Sequence, residues 1–169
     1  MAKISLMVLL LILLCSFQGS SDKQLAISLN VRNGTGDDPM IVLWLEKEDD
    51  EGHRTFIKTL GLFSKDYKYY KELKLWNLKS RKGESRKHVD SVTGATIKMN
   101  RRKTIHIPQN IDGHNLLDGT YLLRLSSGKD KGKVFQTFKI FIPENLSAET
   151  FNGPGYVKSV DLKVINKPK

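Results

Sequence analysis

Residues 90–96 read Asp90-Ser-Val-Thr93-Gly94-Ala95-Thr96, which places two threonine hydroxyls and a carboxylate around two of the smallest side chains. As a local structure this is an exposed turn: Gly94 permits unusual backbone angles, Ala95 adds almost no bulk, and hydroxyls flank the pair. A threonine on such a turn can enter the active site of another enzyme. Its hydroxyl is the group that accepts a phosphoryl unit and becomes a phosphoester. The Asp90 carboxylate could hold the loop through an Asx-type hydrogen bond or help seat a metal-bound donor. Lys87, Lys98, Arg101 and Arg102 flank the segment. They could neutralise a phosphodiester, or form an ordinary solvated surface. An unmodified glycine-containing turn uses the same residue types, so the segment alone leaves both readings open.

Other local chemistry is sparse. His53, His88, His106 and His114 lie far apart and form no close-spaced metal pair. Cys15 is the single cysteine, which rules out an internal disulfide and a Cys-based metal site. The chain has no serine nucleophile elbow, phosphate-binding glycine loop, haem-attachment motif or zinc-protease helix. Local signals therefore favour a carrier or accessory domain over a stand-alone enzyme, while a site assembled from distant residues stays open.

The elements that must position these residues begin after an export signal. Lys3 precedes an apolar run from Ile4 to Cys15, and small or polar residues follow at Ser16, Gly19, Ser20 and Ser21. That is the layout of a secretory signal peptide. The run is shorter than the roughly 20 apolar residues a membrane span needs. Gly19 and Ser21 suit the positions before a cleavage site, so residues 1–21 are expected to leave. Residues 22–169 would remain as a single β-sandwich domain with no transmembrane span. Leu14 stands where lipoprotein signals carry a small residue, which argues against a lipid anchor at Cys15. The expected location is periplasmic or otherwise extracytoplasmic.

Loss of Lys3 lowers the formal charge from +10 to about +9. Such a field favours anionic partners or an anionic envelope. Export without any recognisable nucleic-acid module argues against nucleic acid as a partner.

Alternation with period two dominates the remainder. Gln24–Val31 places Leu25, Ile27, Leu29 and Val31 on one face, and Pro39–Glu46 is a more continuous apolar run suited to a buried strand. Arg54–Leu60 reads as a third strand, in a hairpin with the second. Asp66–Leu78 carries Tyr69, Tyr70, Leu73 and Trp76 at helical spacing between lysines and predicts one amphipathic surface helix. Residues 79–89 read as a basic, glycine-containing loop. Strands resume at Arg102–Ile107, Gly119–Ser126, Val134–Ile142 and Tyr156–Ile165. Seven or eight short strands separated by turns predict an all-β sandwich with one inserted helix and a long basic loop.

Asp90 to Thr96 resembles the Asp-x-x-(Ser/Thr)-Gly-Ala-Thr signature of exported redox subunits that carry covalent flavin mononucleotide. In those families a separate, magnesium-dependent flavin transferase moves FMN from FAD to the last threonine, here Thr96. Asp90, Thr93, Gly94 and Ala95 match the other fixed positions. A broader resemblance covers residues 39–165. Trp44-Leu-Glu46, Phe56-Ile-Lys-Thr59-Leu60, Leu73-Lys-Leu-Trp76, Asp112-Gly113 and Asp118-Gly119-Thr120-Tyr121 are similar in order and spacing to the periplasmic family called domain of unknown function 2271. Ile97-Lys98-Met99 lacks the proline and glycine expected after the motif, and Ile111-Asp112 replaces a common Trp-Asp.

The resemblance implies an immunoglobulin-like or flagellar hook-cap-like fold. It also implies an FMN cofactor on Thr96, stacked against Trp76, Tyr69 or Tyr70, with Asp90, Thr93, Gly94 and Ala95 shaping the attachment. The same three aromatics could instead be core contacts, a role that suits Trp76 best. The implied partners are a flavin transferase and a membrane or soluble redox partner. The alternative is an exported immunoglobulin-like binding or structural domain without cofactor.

Overall fold

Eleven strands and two α-helices are described. In chain order the first strands are β1 (Lys23–Val31), β2 (Met40–Glu48), β3 (Arg54–Phe63), β4 (Thr93–Gly94) and β5 (Arg102–Pro108). Next come β6 (Asn110–Ile111), β7 (His114–Asn115), β8 (Tyr121–Gly128), β9 (Phe135–Phe141), β10 (Ala148–Asn152) and β11 (Val157–Asn166). Between β3 and β4 lie a 3-10 turn (Tyr67–Glu72), α1 (Lys74–Gly83) and α2 (Arg86–Ser91). The computed structural model describes residues 23–64, 67–129, 135–153 and 155–167. Strands account for 52% and helices for 15%, so the chain is mostly β, as the alternation implies.

Two sheets form the sandwich. One has four antiparallel strands in the order β10-β11-β1-β5, with Ile27 opposite both Leu162 and Ile105. The other has the order β4-β3-β2-β8-β9. Leu25, Ile27 and Leu29 of β1 meet Leu43 and Leu45 of β2, Leu123 and Leu125 of β8, and Val160 and Leu162 of β11 in the main core. Each of these side chains is at most 1% exposed. Burying one such aliphatic side chain contributes about 1.5–3 kcal/mol, which is why strict alternation sets the register.

The helices form a second core. Val42 and Trp44, on the opposite face of β2, pack with Met40, Leu62, Leu73, Trp76 and Val89. With both faces covered, β2 needs apolar residues at every position, and this accounts for its continuous Met40–Leu45 run.

Two expectations are corrected. The single helix expected over Asp66–Leu78 is a 3-10 turn followed by α1, which runs on to Gly83. The stretch 79–89, expected to be a loop, contains the end of α1 and most of α2. Lysines and arginines are good helix formers, and Ser85 caps α2 by accepting a hydrogen bond from His88 N at 3.2 Å. Basic composition is therefore a poor guide to a loop here.

Candidate functional site

The segment from Asp90 to Thr96 begins as helix and ends as irregular chain. Asp90 lies in the last turn of α2, exposed, with Arg86 Nε 3.9 Å from its carboxylate. The Thr93 hydroxyl turns back and donates to Val89 O at 2.8 Å, closing the helix end. Val92 O accepts from Leu62 N at 3.1 Å, and Thr93 and Gly94 then pair in parallel with Leu62 and Phe63. The middle of the motif, Thr93-Gly94, is thus a short edge strand, and only its end, Ala95-Thr96, fits the expected exposed turn. Ala95 is exposed and Thr96 half-buried, outside any strand. Among the described residues, no hydrogen bond holds the Thr96 hydroxyl. Ile97 then drops into the main core and fixes the far end.

Gly94 has a role other than the one expected. Its φ is not positive. A Cβ at this position would lie 3.3 Å from Cδ1 of Phe63, so a larger residue requires the Phe63 ring to give way by a few tenths of an ångström.

Beside Asp90 lies a hollow of about 510 Å³ lined by Tyr70, Trp76, Asn77, Arg81, Arg86 and Asp90, among others. That volume falls within the roughly 300–1,000 Å³ range of small-molecule sites. Tyr70 joins the hollow to the motif: its hydroxyl is 3.4 Å from Thr93 Oγ1, and its ring meets Trp76 edge-on with centroids 5.6 Å apart. Trp76 is only 1% exposed and belongs chiefly to the core. Tyr69 lies in the 3-10 turn, and its side chain is outside the described residues. Thr96 does not line the hollow.

A buried polar network supports the wall. Trp76 Nε1 donates to Thr59 Oγ1 at 2.9 Å, and Thr59 Oγ1 donates to Glu84 Oε2. Thr59 N also donates to Glu84 Oε1, at 2.6 Å. His88 Nε2 lies 3.1 Å from Thr59 O and 3.3 Å from Glu84 Oε1. Both neighbours are acceptors, so this nitrogen carries the proton. The network ties β3, α1 and α2 together at the base of the hollow. Composition hid it, because Glu84 sits in a stretch that reads as solvated; the Ser85 cap was the one available signal.

The family described as "Predicted periplasmic protein (DUF2271)" matches residues 22–159, most of the chain. The chain belongs to this family. No curated protein and no solved structure matches it. The DUF2271 match spans both sheets up to the third residue of β11, together with both helices and the motif. Among the described residues of this DUF2271 member, no helix is long and apolar enough to cross a membrane.

The flanking cations separate in space. Lys87 is on α2, Lys98 and Arg101 are exposed beyond Ile97, and Arg102 opens β5 with its guanidinium 3.4 Å from Asp161. Arg81 and Arg86, which line the hollow, were not singled out by sequence.

Proposed function

We propose that this is an extracytoplasmic flavoprotein carrying FMN on Thr96, loaded by a separate flavin transferase and passing electrons to or from a redox partner. The observation that carries this reading is the combination of motif and placement. The matching threonine lies on a partly exposed, irregular segment, and among the described residues no hydrogen bond holds its hydroxyl. A strand-paired or fully buried threonine would be closed to a modifying enzyme.

The covalent step balances without any oxidant. Thr96 Oγ1 forms a bond to the FMN-side phosphorus of FAD, the pyrophosphate P–O bond breaks, AMP leaves, and the hydroxyl proton passes to a base of the transferase. This chain contributes the nucleophile, the Asp90 carboxylate on the exposed helix end, and an aromatic-lined hollow with Tyr70 in reach of the motif. Arg81 and Arg86 on the rim suit a negatively charged reduced ring. When bound, the flavin supplies the redox chemistry.

Intact mass tests the proposal. The chain, signal included, is coexpressed with a flavin transferase and weighed before and after Thr96→Ala. An FMN mass increment that vanishes in Thr96→Ala but survives in Thr93→Ala is the expected result. An unmodified mass beside an active transferase would refute it and leave the cofactor-free binding domain.

A further inference from the structure

Residues 67–91 contain eight Lys and Arg against three Asp and Glu, so this stretch holds half of the chain's formal net charge of +10. Two of those three acids do little to offset the cations on the outer surface. Glu84 is turned inward, with a side chain only 4% exposed, and is bonded to Thr59. Asp90 faces Arg86. Lys71, Lys74, Lys82 and Lys87 are exposed, and among the described residues no acidic group lies within ion-pairing distance of them.

Within this stretch, on α1, stands Leu78, 61% exposed. Residues three and four positions apart on a helix are surface neighbours. Leu78 is therefore ringed on α1 by Lys74, Arg81, Lys82 and the half-buried Leu75. One exposed leucine is unremarkable by itself. An exposed leucine inside a ring of uncompensated cations, on a helix anchored from behind by Trp76, has the pattern of an interfacial membrane contact.

We infer that the outer face of α1 and α2 docks on an anionic phospholipid surface, with Leu78 entering the headgroup boundary and Lys74, Lys82, Lys71 and Lys87 meeting lipid phosphates. An acidic protein partner is the less favoured occupant. Protein interfaces are depleted in lysine and built around larger apolar anchors, whereas flexible lysines around a small apolar point suit a fluid headgroup layer. A periplasmic protein is also bounded by membranes. The inference is independent of Thr96. It would nonetheless set the hollow near the bilayer, because Lys71 and Arg81 belong to both.

Vesicle co-sedimentation tests it, using the chain purified after export. The expected result is binding to mixed phosphatidylcholine–phosphatidylglycerol vesicles, little binding to phosphatidylcholine alone, and loss of binding as salt rises. The Lys74→Gln/Lys82→Gln double variant is expected to lower partitioning about thirtyfold, from about fivefold per cation. Leu78→Gln is expected to lower it about tenfold. Both changes lie on an exposed surface, so unaltered circular dichroism and melting temperature would certify the fold. Equal binding to both vesicle types would overturn the inference. So would binding that both variants retain in full, which would locate the contact elsewhere on the domain.

Discussion

Thr59→Val removes one hydroxyl from the buried network beneath the hollow. Thr59 is 1% exposed, and valine preserves its shape but not its polarity. Two partners lose a bond. The Trp76 indole N–H, on a side chain 1% exposed, has no water to replace Thr59 Oγ1. Glu84 Oε2 loses a charged hydrogen bond, although Oε1 keeps the Thr59 backbone N–H at 2.6 Å. A neutral bond is worth about 1 kcal/mol, a charged one about 1.5–3, and a stranded buried donor carries its own desolvation penalty. The extra methyl returns less than about 1 kcal/mol.

The balance is a destabilisation of about 2–3 kcal/mol, or about 5–10 °C in melting temperature for a domain near 150 residues. Urea unfolding followed by fluorescence measures it. The cycle with Trp76→Phe isolates the indole bond, with Trp44 remaining as the reporter. In that background Thr59→Val should cost about 1 kcal/mol less. A cost below about 0.5 kcal/mol, or strict additivity of the two changes, would refute the network as a source of stability.

Further outcomes follow from named contacts. Gly94→Ala should destabilise by about 1 kcal/mol through Phe63, and Phe63→Leu should relieve most of that cost in the double variant's denaturation curve. Gly153→Ala should cost more, because its Cβ would lie 2.8 Å from the Val157 carbonyl oxygen, which belongs to backbone and cannot rotate away. Lys58 lies 2.8 Å from Asp112 and, through its hydrogen bond and then its charge, holds that carboxyl below its ordinary pKa. The pair therefore stabilises above the unfolded carboxyl pKa, and its contribution is lost as pH falls through the folded one. Lys58→Ala should return the Asp112 carboxyl-carbon titration toward the ordinary range, with a small stability loss at neutral pH that fades in acid. Burial raises the Tyr121 phenol instead, so its contribution is present below the unfolded tyrosine pKa and disappears as pH rises through the folded value. Alkaline spectrophotometric titration would show ionisation later than in a free tyrosine.

The β-sandwich was legible because alternation is a direct imprint of a half-buried strand. Leu25, Ile27 and Leu29 were assigned to one face by sequence and lie in the main core. The unbroken run in β2 likewise announced burial on both faces. Misreading began where helix and charge coincide. Lys79, Arg81, Lys82, Arg86 and Lys87 made residues 79–89 look like a solvated loop, yet charged residues are good helix formers, and buried Ser80 and Val89 provide the inner contacts. Within the candidate site, the hydroxyls and small residues of the motif were visible in the sequence. Their division into a helical start, a paired middle and an unpaired end was not, because pairing with Leu62 and Phe63 links residues 31 positions apart. The hollow's basic rim was missed for the same reason: Arg81 and Arg86 meet Tyr70 only after two helices fold back on β3.

The two-residue strand β4 has a consequence for solubility. An uncovered strand edge offers free N–H and C=O groups to any other chain, and apolar edges are the most adhesive. Leu62 and Phe63, 0% and 3% exposed, form the apolar end of β3, and residues 92–94 lie along that edge. Changes that detach Thr93 and Gly94 should therefore appear first as self-association, measurable by light scattering, before the sandwich itself unfolds. The segment that leaves Thr96 partly exposed also covers the apolar end of that edge.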